Sequence, residues 1–240
     1  ELKAHIGQGD ELHRRVILDA EQPSSAIMDT WERALRYLRI SVTDRCNYQC
    51  HYCVPAGGWQ PTDRGALLSF EEIARIVRVL STRGVSKVRL TGGEPLIRKN
   101  LTQLVRWLAD TPGINEVALT TNGHLLGQFA HELRRQGLTR LTVSIDTFDP
   151  DRFRALTGGD LDRVLEGLDA ATDAGFNQIG INVVALNSVN VGALGQIAER
   201  CWSSGWTPRF IELMPIGGLA FQRAEERVTH QAMMDEFETS

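Results

Sequence analysis

The chain has 240 residues, 42% hydrophobic and 23% charged, with a formal net charge of −4. That length and composition suit a soluble globular protein with a sizeable core, and the weakly acidic balance excludes a general attraction to nucleic acid or an anionic membrane surface. No apolar run approaches the roughly 20 residues that span a bilayer, and the opening stretch ELKAHIGQGDELHRR lacks the pattern of a secretory signal.

Residues 1–35 are polar and weakly periodic and read as an N-terminal extension. A regular pattern begins at Tyr37. YLRISVT (37–43) alternates as a strand. SFEEIARIVRVLSTRG (69–84) reads as a helix, with Ser69 and Glu72 spaced as a capping box and Ile73, Ile76, Val77 and Leu80 on one face. KVRLT (87–91) is a strand, NLTQLVRWLAD (100–110) a helix with a stripe of Leu101, Leu104, Val105 and Leu108, and EVALTT (116–121) a strand. LLGQFAHELRRQG (125–137) is a helix closed by Gly137. RLTVSID (140–146) is a strand, LDRVLEGLDAATDAG (161–175) a helix, QIGINVVAL (178–186) a strand, VGALGQIAERCWSSG (191–205) a helix and RFIELM (209–214) the last strand. VTHQAMMDEFETS starts like a helix capped at Thr229 and stops at Ser240, so 215–240 reads as the start of an incomplete C-terminal segment.

Six strands thus alternate with helices at about 30 residues per unit, the βαβ period. The fold class is α/β, a parallel sheet with helices packed outside it. Six units are too few for a closed eight-fold barrel. A partial barrel and a doubly wound open sheet both fit this pattern.

The chain has four cysteines, and three of them, Cys46, Cys50 and Cys53, fall in SVTDRCNYQCHYCVP with the spacing C-x3-C-x2-C. Such usage argues against a secreted disulfide framework and for a cytosolic chain that keeps its thiols for metal or redox chemistry. The cluster follows the first strand, at the sheet edge where α/β folds build their sites. A structural zinc site wants four ligands, and His51, adjacent to Cys50, would strain to reach the same ion. A cubane iron–sulfur cluster takes four thiolates; with three, one iron keeps an open position for something else to bind. Unliganded thiols and an incomplete zinc knuckle stay open on spacing alone. Cys201 shares a helical face with Leu194, Ile197 and Ala198 and reads as a core residue.

The cysteine spacing, with Tyr52 just before Cys53, and TGGEP (91–95) at the end of the second strand resemble the radical SAM enzymes. The family's partial (β/α)6 TIM-like barrel matches the six units over 36–214. RISVTDRCNYQCHYC, VRLTGGEPLIRKNL, ALTTNG, LTVSID and RFIELMP, in this order, resemble the GTP 3′,8-cyclases that begin molybdenum cofactor synthesis. The resemblance implies that Cys46, Cys50 and Cys53 hold a [4Fe-4S] cluster and that S-adenosylmethionine binds its open iron. Reductive cleavage then gives a 5′-deoxyadenosyl radical that takes H3′ of GTP, and C3′ attacks C8 to form 3′,8-cyclo-7,8-dihydro-GTP. A reducing partner such as a flavodoxin or ferredoxin is implied.

Residue by residue, the resemblance places Tyr52, Gly92, Gly93, Glu94, Ser144, Asn182 and Met214 around S-adenosylmethionine, with Met214 ending the sixth strand. Arg39, Arg89, Thr120 and Arg209 would face GTP. An arginine on an inward strand position is costly without a partner, so the three arginines read as anion binders; salt bridges to Glu94 or Glu212 are the structural alternative. Two departures stand out. The cyclases' fifth-strand lysine is replaced by Gly180, so Gly180→Lys is expected to tighten nucleotide binding. The cyclases' C-terminal region, with three further cysteines for a second cluster, has no counterpart here. The chain is therefore read as a trimmed cyclase, or as a relative acting on another nucleotide or a peptide; a non-catalytic iron–sulfur or zinc module is the third reading.

Overall fold

The computed structural model describes residues 26–53, 62–214 and 224–239. Most of the expected extension, 1–25, and the residues 215–223 and 240 of the C-terminal segment lie outside the described residues. The alternating segments form six strands: β1 (Tyr37–Ser41), β2 (Lys87–Thr91), β3 (Glu116–Thr121), β4 (Arg140–Ser144), β5 (Ile179–Ala185) and β6 (Thr207–Glu212). Between them lie α1 (Phe70–Ser81), α2 (Leu101–Ala109), α3 (Leu126–Arg135), α4 (Pro150–Thr157), α5 (Leu161–Asp173) and α6 (Leu194–Ser203), and α7 (His230–Thr239) follows β6.

All five strand pairings are parallel and run in sequential order from β1 to β6. A doubly wound sheet reverses its order at a switch point. Sequential order with a helical crossover at each step is the winding of a barrel, here one of six units that stops short of closure. The strand pleat sends alternate side chains to opposite faces. Val88, Leu90, Val117, Leu119, Leu141, Val143, Ile181 and Val183 are buried in the core shared with the helices. The opposite face lines a lumen, and there Arg39, Arg89, Thr120, Thr142, Asn182 and Arg209 share one side in register.

Local signals place the helices. Ser69 Oγ accepts the Glu72 N–H at 3.1 Å, and the Glu72 carboxylate accepts the Ser69 N–H at 2.7 Å, so the expected capping box starts α1. The stripe of Leu101, Leu104, Val105 and Leu108 is wholly buried. Gly137 and Gly175 follow α3 and α5 with φ of +94° and +84°, as helix-ending glycines do. Cys201 is fully buried beside Leu194, Ile197 and Ala198. Thr229 Oγ1 accepts the Ala232 N–H at 3.2 Å, capping α7.

Three expectations change. Ile76 is 41% exposed, because α1 buries Ile73, Ala74 and Val77 and its buried face is turned away from Ile76. β6 runs from Thr207 to Glu212, two residues earlier at both ends, so Met214 lies beyond the strand. The helix α4 was not expected. Asp149 caps it through the Asp151 and Arg152 N–H groups, Pro150 opens it, and Gly158 closes it at φ +71°.

Candidate active site

The cysteine loop leaves the C-terminal end of β1 and is held from two sides. On one side, the turn after β2 pairs with its backbone: the Gly93 N–H donates to Thr43 O at 2.7 Å, and the Glu94 N–H to Arg45 O at 2.8 Å. The approach needs glycine. A Cβ at Gly93 would lie 2.6 Å from the Arg45 carbonyl carbon and closer still to its oxygen. On the other side, the end of α4 receives the loop: the Gln49 and His51 N–H groups donate to Thr157 O and Leu156 O at 2.9 and 3.1 Å. The helix missing from the sequence reading is thus a wall of the cysteine loop.

Two tyrosines fix the loop further. Tyr48 is buried, its hydroxyl 3.3 Å from His124 Nδ1, and its ring fills the space that a side chain at Gly159 would need. Tyr52 packs against Leu156, Leu186 and Leu213 and donates its hydroxyl to Asp146 Oδ2 at 2.7 Å. Asp146 Oδ1 accepts the Val184 N–H at 2.8 Å, so one buried carboxylate ties the loop to the ends of β4 and β5. Burial pushes Asp146 up to about 6, against the pull of those two donors.

The three thiols are free, Cys50 half-buried and Cys46 and Cys53 exposed. Burial pushes the Cys50 thiol up to about 12, and the Asp146 carboxylate and the other two cysteines add to it. The bare thiol is therefore protonated at neutral pH, and binding a metal there releases its proton. Among the described residues no group of three or more His, Cys, Asp or Glu converges on a single ion. A mononuclear zinc site needs such convergence. A cubane needs only one thiolate per iron, from thiols spread around it. Three free thiols on one loop, close enough to feel one another, fit that donor set.

Glu94 is fully buried. Its Oε1 accepts the Thr121 hydroxyl and the Leu96 N–H at 2.7 and 2.9 Å, and its Oε2 accepts the Asn122 N–H at 2.7 Å. Its carboxylate is thus committed to joining the ends of β2 and β3. Ser144 and Asn182 are register partners at the ends of β4 and within β5 and share the lumen face. Met214 is 59% exposed, in the segment after β6.

Below this rim the lumen is cationic. Arg89 crosses three strands, donating to the hydroxyls of Tyr37 at 2.7 Å and of Thr120 and Thr142 at 3.0 Å each. Its neighbour in register, Arg39, is exposed. Arg209 lies against Gly180, where a Cβ would stand 3.2–3.3 Å from the guanidinium. Burial, then Arg89 and Arg140, lower the Arg209 pKa. Glu116 forms the floor, 3.9 Å from Lys87 and 3.8 Å from Arg140. Neither alternative salt bridge forms: Glu94 is occupied as described, and Glu212 pairs with Arg227 at 3.1 Å. Arg89 thus uses neutral hydroxyls only, and Arg39 and Arg209 have no ion-pair partner among the described residues. Gly180 also takes on a different meaning. It leaves room for a cation from β6, so a lysine there would crowd a charge already in place.

The sequence reading missed Asp146, Lys87, Arg140 and Tyr48. Lys87 stands in KVRLT, Arg140 and Asp146 in RLTVSID and Tyr48 between two of the cysteines, but their roles depend on which elements are neighbours.

The Radical SAM superfamily model matches residues 40–201, the stretch that holds the cysteine loop, the Gly92–Gly93 turn, the end of β1 and the whole of β2 to β5. The chain belongs to the radical SAM superfamily. Its curated relatives include the GTP 3′,8-cyclase of Acidothermus cellulolyticus, 48% identical over 208 residues, which cover 84% of this chain and 58% of that protein. The GTP 3′,8-cyclase of Pelotomaculum thermopropionicum is 43% identical over 210 residues, covering 87% of this chain and 65% of that one. The radical SAM chain therefore spans about three-fifths of the length of these relatives. Methylornithine synthase shares the fold with a TM-score of 0.64 at 19% identity, over 85% of this chain and 63% of that one. Streptococcus suis SuiB bound to S-adenosylmethionine does so with a TM-score of 0.61 at 20% identity, over 72% and 40%. Among the described residues no helix is long and apolar enough to cross a membrane.

Proposed function

We propose that this chain is the radical SAM part of a GTP 3′,8-cyclase, acting in the cytoplasm in molybdenum cofactor biosynthesis. Residues 36–214 would form its catalytic domain, served by a flavodoxin- or ferredoxin-type donor and needing neither nucleic acid nor membrane. The observation that carries this reading is the stacking of two layers: a three-thiol loop at the rim, and directly below it arginines without carboxylate partners. Cys46, Cys50 and Cys53 would hold a [4Fe-4S] cluster, and S-adenosylmethionine would lie among Tyr52, Gly92, Gly93, Ser144, Asn182 and Met214. That cofactor pair supplies a 5′-deoxyadenosyl radical able to take H3′ of GTP.

The chain's own residues do the remaining work. The Gly92–Gly93 backbone offers polar groups without side-chain bulk. Glu94 takes part indirectly, by fixing that turn against β3. Arg39, Arg89 and Arg209, with Thr120, would receive the triphosphate; guanidinium forks match phosphate oxygens and keep their charge. The lumen walls would orient the nucleoside and keep water from a reactive intermediate.

The test is titration calorimetry with GTP. Arg89→Ala and Arg209→Ala are each expected to weaken binding about tenfold, or ~1.4 kcal/mol, and more strongly at low salt. Gly180→Lys should give no gain, because its side chain competes with Arg209 for one space. Unchanged affinity in both arginine variants would remove the lumen as the nucleotide site.

A further inference from the structure

We propose that Asn122 tunes the cluster: its side-chain amide donates a hydrogen bond to the Cys46 sulfur and raises the reduction potential of the bound [4Fe-4S] cluster. The inference rests on the cluster reading above and adds to it a residue that holds neither iron nor substrate.

Asn122 directly follows β3, and its backbone is anchored from below. Its N–H donates to Oε2 of the buried Glu94 at 2.7 Å. Its side chain is oriented from the other direction, since Oδ1 accepts the His124 N–H at 3.0 Å. With the carbonyl end so engaged, the NH2 end must face the cysteine loop. There it donates to Asn47 Oδ1 at 2.9 Å and lies 3.9 Å from Cys46 Sγ. The same sulfur accepts the Tyr48 N–H at 3.4 Å. Among the described residues the Cys50 sulfur feels only its own backbone N–H, and no donor acts on the sulfur of Cys53. The three thiols are therefore unequal, and Cys46 is the one the protein solvates with its own dipoles. Three sequence motifs meet at this point: the cysteine loop, the glycine turn through Glu94, and the TTNG stretch that ends β3.

The chemistry has a definite sign. One-electron reduction by a low-potential donor adds one negative charge to the thiolate-bound iron and moves no proton or bond. A fixed N–H dipole aimed at a ligating sulfur stabilises the more negative level more than the less negative one, so it raises the potential. Glu94 and His124 hold that dipole in place beforehand, so little reorganisation accompanies the electron.

The experiment is a redox titration of the anaerobically reconstituted protein, read by the electron paramagnetic resonance signal of the reduced cluster. Iron content is measured in parallel. Asn122→Ala should lower the reduced-to-oxidised ratio at fixed solution potential by up to about tenfold, a downward shift of up to ~59 mV for one electron. Asn122→Asp keeps the shape and the acceptor for His124 but puts a carboxylate oxygen beside Cys46, and should shift further down. Asn47→Ala, which removes the amide's other acceptor, should leave the potential in place. An unchanged or raised potential in both Asn122 variants, with iron retained, overturns this proposal alone. Loss of iron from the isosteric Asn122→Asp protein also overturns it, by making Asn122 a support of the loop. A wild-type protein with no cluster signal overturns the cluster reading and this inference with it.

Discussion

Cys50→Ala protein, reconstituted anaerobically with iron and sulfide, is expected to keep no stable cluster and to form 5′-deoxyadenosine only at background. The same holds for Cys46→Ala and Cys53→Ala, whereas Cys201→Ala retains both iron and cleavage. The contrast follows from placement. The first three thiols lie on one loop, pinned by the Gly93 turn, the end of α4 and the Tyr52–Asp146 hydrogen bond. Three thiolates already leave one iron of a cubane without a protein ligand; removing another leaves two irons exposed to solvent and oxidation. Cys201 is on the far side of the sheet, fully buried within α6, and its loss creates a small void costing about 1 kcal/mol. Iron analysis and product chromatography check both halves. Cleavage retained in the Cys50→Ala protein would break the link between this loop and the chemistry.

The second large effect is expected at Glu94. Its carboxylate is buried and accepts three hydrogen bonds, from Leu96, Thr121 and Asn122. Burial pushes its pKa up, and these donors oppose that shift. Glu94→Ala strands the donors without water to replace the lost acceptor. We expect a loss of about 3 kcal/mol or more, which for a chain of this size lowers the melting temperature by roughly 6–12 °C. Because the same carboxylate sets the glycine turn against the cysteine loop, iron retention should fall along with stability. Glu94→Gln should lie between, since its amide turns a donor toward one of those N–H groups. Thermal denaturation of the apo protein separates the structural loss from the loss of iron. A Glu94→Ala protein as stable as the parent would show that this carboxylate does not brace the site.

The elements most legible in the sequence were those written locally. The capping box of Ser69 and Glu72, the leucine stripe of α2 and the glycines after α3 and α5 each act within a few residues, so reading them needed no tertiary knowledge. The cysteine spacing and the glycine turn at the end of β2 were legible for the same reason. The helix α4 was less so: its buried Phe153, Leu156 and Thr157 give a single i, i+3, i+4 set with a polar threonine in it, although Asp149, Pro150 and Gly158 marked its ends. Ile76 misled because a helical period fixes a stripe but not which edge of it turns to the sheet. The lumen was half legible. Inward arginines suggested an anion site, but that Arg89 reaches hydroxyls of β1, β3 and β4 depends on strand order. That Arg209 covers Gly180 depends on β5 and β6 being neighbours. Read along the chain, Gly180 is a missing cation; read across the sheet, it is the space that a cation occupies.

The central claim is that a radical-generating rim sits over a nucleotide-binding lumen in one domain. The most direct test is to reconstitute the protein anaerobically, reduce it with dithionite, add S-adenosylmethionine, and measure 5′-deoxyadenosine with and without GTP. The account predicts deoxyadenosine formation that rises when GTP is present, and that loses this rise in the Arg89→Ala protein. No deoxyadenosine from a protein carrying about four irons per chain would contradict the radical chemistry, and formation indifferent to GTP would contradict the nucleotide site beneath it.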